Sequence, residues 1–204
     1  MRTAAAASST TPEVDHEGGT MTDSAEGRDL EQRVAALEAE VARLRARERI
    51  TATFNQYLYS LDTGYGDGIL DAYASDCVLE VVNFPPDGID MHFEGREAMK
   101  PLYEPYGSRD KLIAGGHTSS NIAIDVADDA QTASLTAYFT TTSNRGVQGG
   151  RYEGTLRLDD DGKWRFTTLA IISAWGFHPN DAKKVSDPVP AERSAFAGKP
   201  ATEG

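Results

Sequence analysis

The sequence predicts an α+β fold, with helices laid on one face of a curved and mostly antiparallel sheet. Helical periodicity dominates the first part of the chain, and four β-rich segments joined by short turns fill the second half. Scale agrees: 204 residues with 39% apolar and 25% charged content suit one domain of about 100 to 150 residues plus appendages.

Residues 1 to 28 lack periodicity and are rich in Ala, Ser, Thr, Gly and acids, so they are expected to be disordered. The Ala4 to Ala7 run is too short and too weakly apolar for a signal segment, and Met21 is a second candidate start. From Asp29 the pattern changes. Leu30, Val34, Leu37, Val41 and Leu44 recur at 4-3-4-3 spacing, a two-heptad seam that loses phase at Glu48 and Thr51. This helix, 29 to 48, either packs on its own domain or meets a second subunit. It continues through Arg47-Glu48-Arg49 or breaks there, and a second apolar face of Ile50, Phe54, Tyr57, Leu58 and Leu61 follows. That face ends at Asp62, with Gly64 placed to terminate the helix.

Ile69 to Ser75 reads as a short helix, Cys77 to Asn83 as a strand stopped by Pro85-Pro86, and Met91 to Phe93 as a further short strand. Gly95 leads into a helix from about Arg96 to Tyr106. The β-rich segments are His117 to Val126, Thr132 to Ser143, Gly150 to Leu158 and Trp164 to Ala174. Strict alternation puts His117, Ser119, Asn121 and Ala123 on one face and Ile122, Ile124 and Val126 on the other. The last strand is apolar on both faces, which places it centrally and points to an oligomer. Thus the domain spans 29 to 179, and 180 to 204 form a flexible tail.

Composition excludes several functions. A net charge of -12 argues against a nucleic acid partner, which demands a basic stripe. No run approaches the ~20 apolar residues that span a membrane. The one cysteine, Cys77, has no Cys or His neighbours for a zinc site, reads as a small buried residue and fits a reducing cytoplasm. Asp159-Asp160-Asp161-Gly162 lacks the spacing of a calcium loop and reads as a hairpin turn. His92 and His178 carry no assignment.

Asp62 is the conspicuous residue. A helix C-terminus carries partial negative charge, so a carboxylate in the last turn needs a compensating partner. It is either a turn residue satisfying local backbone donors or half of a functional pair. His117 is likewise either an ordinary strand-start residue or the base of a site, since a neutral imidazole accepts a proton at neutral pH.

The order of a helix ending in Leu-Asp, a strand, a Pro loop, His-x-x-x-Asn opening a meander, then Gly-x-Tyr and Asp-Gly-x-Trp-Arg-Phe resembles one superfamily over roughly residues 30 to 175. It is similar to the SnoaL-like branch of the nuclear transport factor 2-like superfamily. That resemblance implies a cone-shaped barrel with N-terminal helices on its concave side. Within the branch the pattern is nearest scytalone dehydratase, bile acid 7α-dehydratase and hexachlorocyclohexane dehydrochlorinase. Those relatives pair an aspartate with a histidine for proton abstraction, and Asp62 and His117 match the pair. Tyr57, Asn121 and Tyr152 match further positions, implied to bind substrate; Tyr57 and Tyr59 also read as ordinary helix-core aromatics. The resemblance implies a lyase or isomerase, assembled as a homodimer or homotrimer and acting on a hydrophobic, steroid-like or polyketide-like small molecule, without metal or organic cofactor. A polyketide cyclase led by the aspartate and a non-catalytic ligand-binding or assembly domain are the competing readings.

Overall fold

The computed structural model describes residues 20–85, 87–104, 116–143 and 146–177. The chain forms two compact units divided between Glu40 and Val41. In the first, every described residue belongs to α1, Thr20–Thr63, which starts within the segment expected to be disordered. Residues 1–19 and the expected tail lie outside the described residues. α1 has no break at Arg47-Glu48-Arg49.

In the second unit, α1 buries Ala46, Ile50, Phe54, Tyr57, Leu58 and Leu61, the i, i+4, i+7 stripe of a core-facing helix. The helix ends where Gly64 adopts φ 70°, a conformation glycine enters without a Cβ penalty, and Tyr65 N–H donates to Ser60 C=O at 3.0 Å. Asp62 is thereby fixed in the last turn. α2, Gly66–Asp71, is shorter than the helix expected over Ile69 to Ser75. The difference has a cause: Tyr73 and Ala74 are fully buried, and Tyr73 pairs with Phe166 as the start of a strand, so tertiary burial overrides local helix propensity.

That strand is β1, Tyr73–Phe84, followed by β2, Ile89–Glu94. A 3-10 turn, Arg96–Met99, and a short helix α3, Lys100–Tyr103, occupy the place of the longer helix expected from Arg96. The meander comprises β3, Gly116–Val126, β4, Thr132–Ser143, β5, Gly146–Leu158, and β6, Trp164–Phe177. The strands form one sheet in the order β2-β1-β6-β5-β4-β3, antiparallel throughout except for β1 with β6. The sheet is curved but not closed, so the barrel expected from the resemblance is open between β2 and β3. Register shifts in β1, β3 and β5/β6 supply the bends, because an unpaired extra residue sharpens the local twist.

The core lies between the α1 stripe and one sheet face carrying Leu79, Leu135, Phe139, Tyr152, Leu156, Phe166 and Leu169. β6 is central, as expected, and Val82, Ala170 and Ile172 form a second buried cluster. Ala170 and Ile172 are each 0% exposed within this one chain, so their apolar character gives no reason to invoke a second copy.

Candidate active site

The last turn of α1 and the first residues of β3 meet at the two residues singled out by the resemblance. His117 Nδ1 lies 2.6 Å from Asp62 Oδ1. The same carboxylate accepts the backbone N–H of His117, at 3.2 Å to Oδ1 and 3.0 Å to Oδ2. These donors offset the partial negative charge of the helix end, which is why a carboxylate is tolerated there. The side chains are 26% and 14% exposed for Asp62 and His117, so the pair is largely withdrawn from solvent.

With Nδ1 donating to the carboxylate, the neutral ring carries its lone pair on Nε2. Among the described residues Nε2 has no hydrogen-bond partner, and His117 lines a cavity of about 50 Å³. Leu61, Val81, Phe84, Leu102, Phe139 and Ile171 make the apolar wall. Tyr57, Tyr103, Tyr152, Gln148 and Ser173 supply its polar groups. An apolar cleft with a few convergent polar groups is the usual form of a small-molecule site.

Two further matched positions also reach this cavity. Tyr57 is 0% exposed on the α1 stripe, and its hydroxyl lies 3.2 Å from that of Tyr103. Tyr152 is on the inner face of β5, its ring 4.8 Å from that of Phe139. Gly150, two residues before it, has to be glycine: a Cβ there would sit 2.0 Å from the Ile172 carbonyl and 3.0 Å from the Phe139 ring.

Asn121 does not join them. It is exposed, adopts φ 51°, and sits in the β3 irregularity between Ser120 and Ala123. Asparagine tolerates the left-handed region better than most residues, which accounts for its presence at a bulge. The same bulge overturns the strict alternation expected along this strand. Past it Ile124 pairs with the buried Leu135 and packs on the core, on the face that carries His117.

Sequence reasoning assigned no individual role to Tyr103, Tyr73, Gln148 or Ser173. Tyr103 is a hub, bonded through its hydroxyl to Tyr57 and, at 2.5 Å, to Tyr73. Burial holds the Tyr73 phenol well above its ordinary value of 10.0, and the neighbouring Tyr103 and Tyr57 add to this, so it stays protonated and able to donate. Ser173 was accessible from alternation along β6, two residues after Ile171; Gln148 precedes the expected start of β5. Among the described residues no group of three His, Cys, Asp or Glu side chains is arranged to hold a metal.

The SnoaL-like domain family matches residues 42–170. The chain belongs to the SnoaL-like domain family. Solved structures share its fold. A candidate scytalone dehydratase from Novosphingobium aromaticivorans is 24% identical, with 75% of this chain and 97% of that one covered and a TM-score of 0.54. The hexachlorocyclohexane dehydrochlorinase LinA-type3 from Novosphingobium barchaimii is 16% identical, covering 74% and 99%, with a TM-score of 0.56. An NTF2-like protein with a cystatin-like fold from a Novosphingobium aromaticivorans strain is 20% identical, covering 71% and 89%, with a TM-score of 0.51. No curated protein matches this SnoaL-like chain.

Proposed function

We propose that this protein is a cofactor-independent lyase or isomerase that removes a proton from carbon and expels a leaving group, with Asp62 and His117 as its catalytic pair. The observation that carries this reading is the 2.6 Å contact between Asp62 Oδ1 and His117 Nδ1, with His117 on the wall of a cavity. Two fold relatives are described as a dehydratase and a dehydrochlorinase, names that both denote elimination.

In the proposed step His117 Nε2 takes a proton from a carbon of the substrate. The electron pair of that C–H bond becomes the C=C bond, and the leaving group departs with the electrons of its own bond. The imidazolium formed is stabilised by Asp62, which also holds the ring in the productive tautomer. A leaving hydroxyl takes that proton from the His117 imidazolium and departs as water, which returns the ring to its neutral form, and the tyrosines lining the cavity are placed to hold such an oxygen. Apolar walls suit a hydrophobic substrate of steroid-like or polyketide-like character. At about 50 Å³ the cavity takes the reacting end of such a molecule, not the whole of it. Cys77 is buried with its sulfur 3.7 Å from that of Met99, and burial pushes the thiol up to about 11; an inert thiol accords with a cytoplasmic setting.

Turnover by His117→Ala and Asp62→Asn tests the reading on a panel of hydrophobic β-hydroxy carbonyl and halogenated compounds, with circular dichroism verifying the fold. Loss of activity in both supports it. Loss in Asp62→Asn alone favours the cyclase reading, and retention in both refutes a catalytic pair.

A further inference from the structure

We propose that the α1 seam of Leu30, Val34, Leu37, Val41 and Leu44 joins two copies of this chain in a parallel, in-register, two-stranded coiled coil. These five residues are 60%, 45%, 66%, 42% and 56% exposed, an unbroken row of uncovered apolar side chains along one helix. The seam is not the stripe that covers the core. At 100° per residue Ala46, the first buried position, lies roughly 140 to 160° round the helix from Val41 and Leu44. Ala46 is 5% exposed where Leu44 is 56%.

The occupant follows from the heptad register. With Leu30, Leu37 and Leu44 at d, the a positions are Val34 and Val41, and valine at a with leucine at d favours two parallel strands. The flanking charges agree. In a parallel pair each g residue faces the e residue five positions on in the partner, so Arg33 meets a second copy's Glu38 and Glu40 meets its Arg45. Both contacts are attractive, the twofold axis repeats them, and the one repulsive pair, Glu26 against Glu31, lies at the edge of the seam. An antiparallel pair cannot keep all five apolar layers: one register sets Leu30 against Glu48 and the other sets Leu44 against Gly27. The apolar layers thus select the orientation, and the charge pairs beside Val34 to Leu44 agree with it. The seam stops at Gly27 and Glu48, the next a positions on either side, so the contact is confined to residues 30 to 44.

Sedimentation of the full chain over a wide concentration range tests this. The expected result is a dimer that Leu30→Glu/Leu37→Glu weakens about a hundredfold or more, since two apolar layers are lost. Glu40→Arg alone weakens it, and Glu40→Arg/Arg45→Glu restores it. Leu37→Cys oxidises to a covalent dimer, because d faces d in the parallel register. A monomeric wild type, a trimer, or a dimer indifferent to the paired leucine substitutions overturns the proposal. So does failure of the charge swap to restore association, or a dimer that Leu37→Cys does not cross-link.

Discussion

Two charged clusters in this molecule differ in how fully their groups are satisfied by one another. At the β5–β6 hairpin, Arg165 spends all three guanidinium nitrogens on acceptors within the chain. Nε donates to the Asp71 carbonyl, Nη1 to Asp159 and Asp161, and Nη2 to Asp71 and Asp161, all at 2.7 to 3.0 Å. Its side chain is 8% exposed. Nothing is left over for a ligand, and the cluster joins the α2 end to the hairpin. The Asp62–His117 pair is satisfied on one side only. Asp62 is occupied with His117, while Nε2 of the ring has no partner among the described residues and the residue borders a cavity. Charge density does not separate the two clusters. What separates them is a ring nitrogen without a partner among the described residues, on a residue beside a cavity.

The sharpest way to break this contrast is at the incomplete pair. Removal of a positioned general base costs roughly 10²- to 10⁴-fold in rate, or about 3 to 5 kcal/mol of barrier. If the two residues act as one unit, the double variant Asp62→Asn/His117→Ala is no slower than His117→Ala alone. Full additivity of the two losses, measured as kcat/KM, contradicts a coupled pair. At the saturated cluster the expectation is reversed. Arg165→Met leaves three carboxylates without their shared cation and lowers stability by about 2 kcal/mol, less than a fully buried pair because Asp71 and Asp161 are 47% and 50% exposed. Turnover per folded molecule stays unchanged. A fall in kcat for this variant places the hairpin in the catalytic machinery and erases the distinction.

Between these extremes stands the tyrosine hub. Tyr103→Phe removes the hydroxyl that bonds both Tyr57 and Tyr73, at a cost of about 1 kcal/mol of stability because two buried phenols lose a partner. If the Tyr57 and Tyr103 hydroxyls on the cavity wall hold the substrate oxygen, kcat falls as well, by about tenfold, and denaturant and steady-state measurements on the one variant separate the two effects.

How far the sequence reveals this division is instructive. Asp62 stood out because a carboxylate at a helix C-terminus is costly, but its pairing with His117 was legible only through the family resemblance, and the fold supplies the 2.6 Å contact. The Arg165 cluster was partly visible: Asp159 to Gly162 announces a turn, but only the fold brings Asp71, at the end of α2, to the same guanidinium. The hydroxyl contacts of Tyr103 were hidden, since three tyrosines separated by 16 and 30 residues carry no shared period. Asn121 misled for a different reason. Period-2 alternation is reliable only in an unbroken ladder, and the β3 bulge inserts the extra residue at the very position matched to the family. The same insertion explains why Ile124, counted on the far face, packs on the core.

The smallest effect lies in the acid range and isolates the saturated cluster again. Arg165 holds the Asp161 carboxyl down to about 2 from an ordinary 3.8, with the Lys163 backbone N–H assisting. For Asp71 burial alone acts upward, and Lys163 and Arg165 together outweigh it, so its carboxyl is also lowered. A carboxylate whose folded value lies below its unfolded one contributes stability above pH 4 and loses it as the pH falls toward 2. The wild type therefore surrenders this contribution on acidification, whereas Arg165→Met has little of it to lose. The gap between their denaturation midpoints should narrow as the pH is lowered from about 5 to about 2. A gap that stays constant over that range means the guanidinium contributes through packing of its stem and not through its carboxylate partners, and the cluster then ceases to be the charge-saturated counterpart of the dyad.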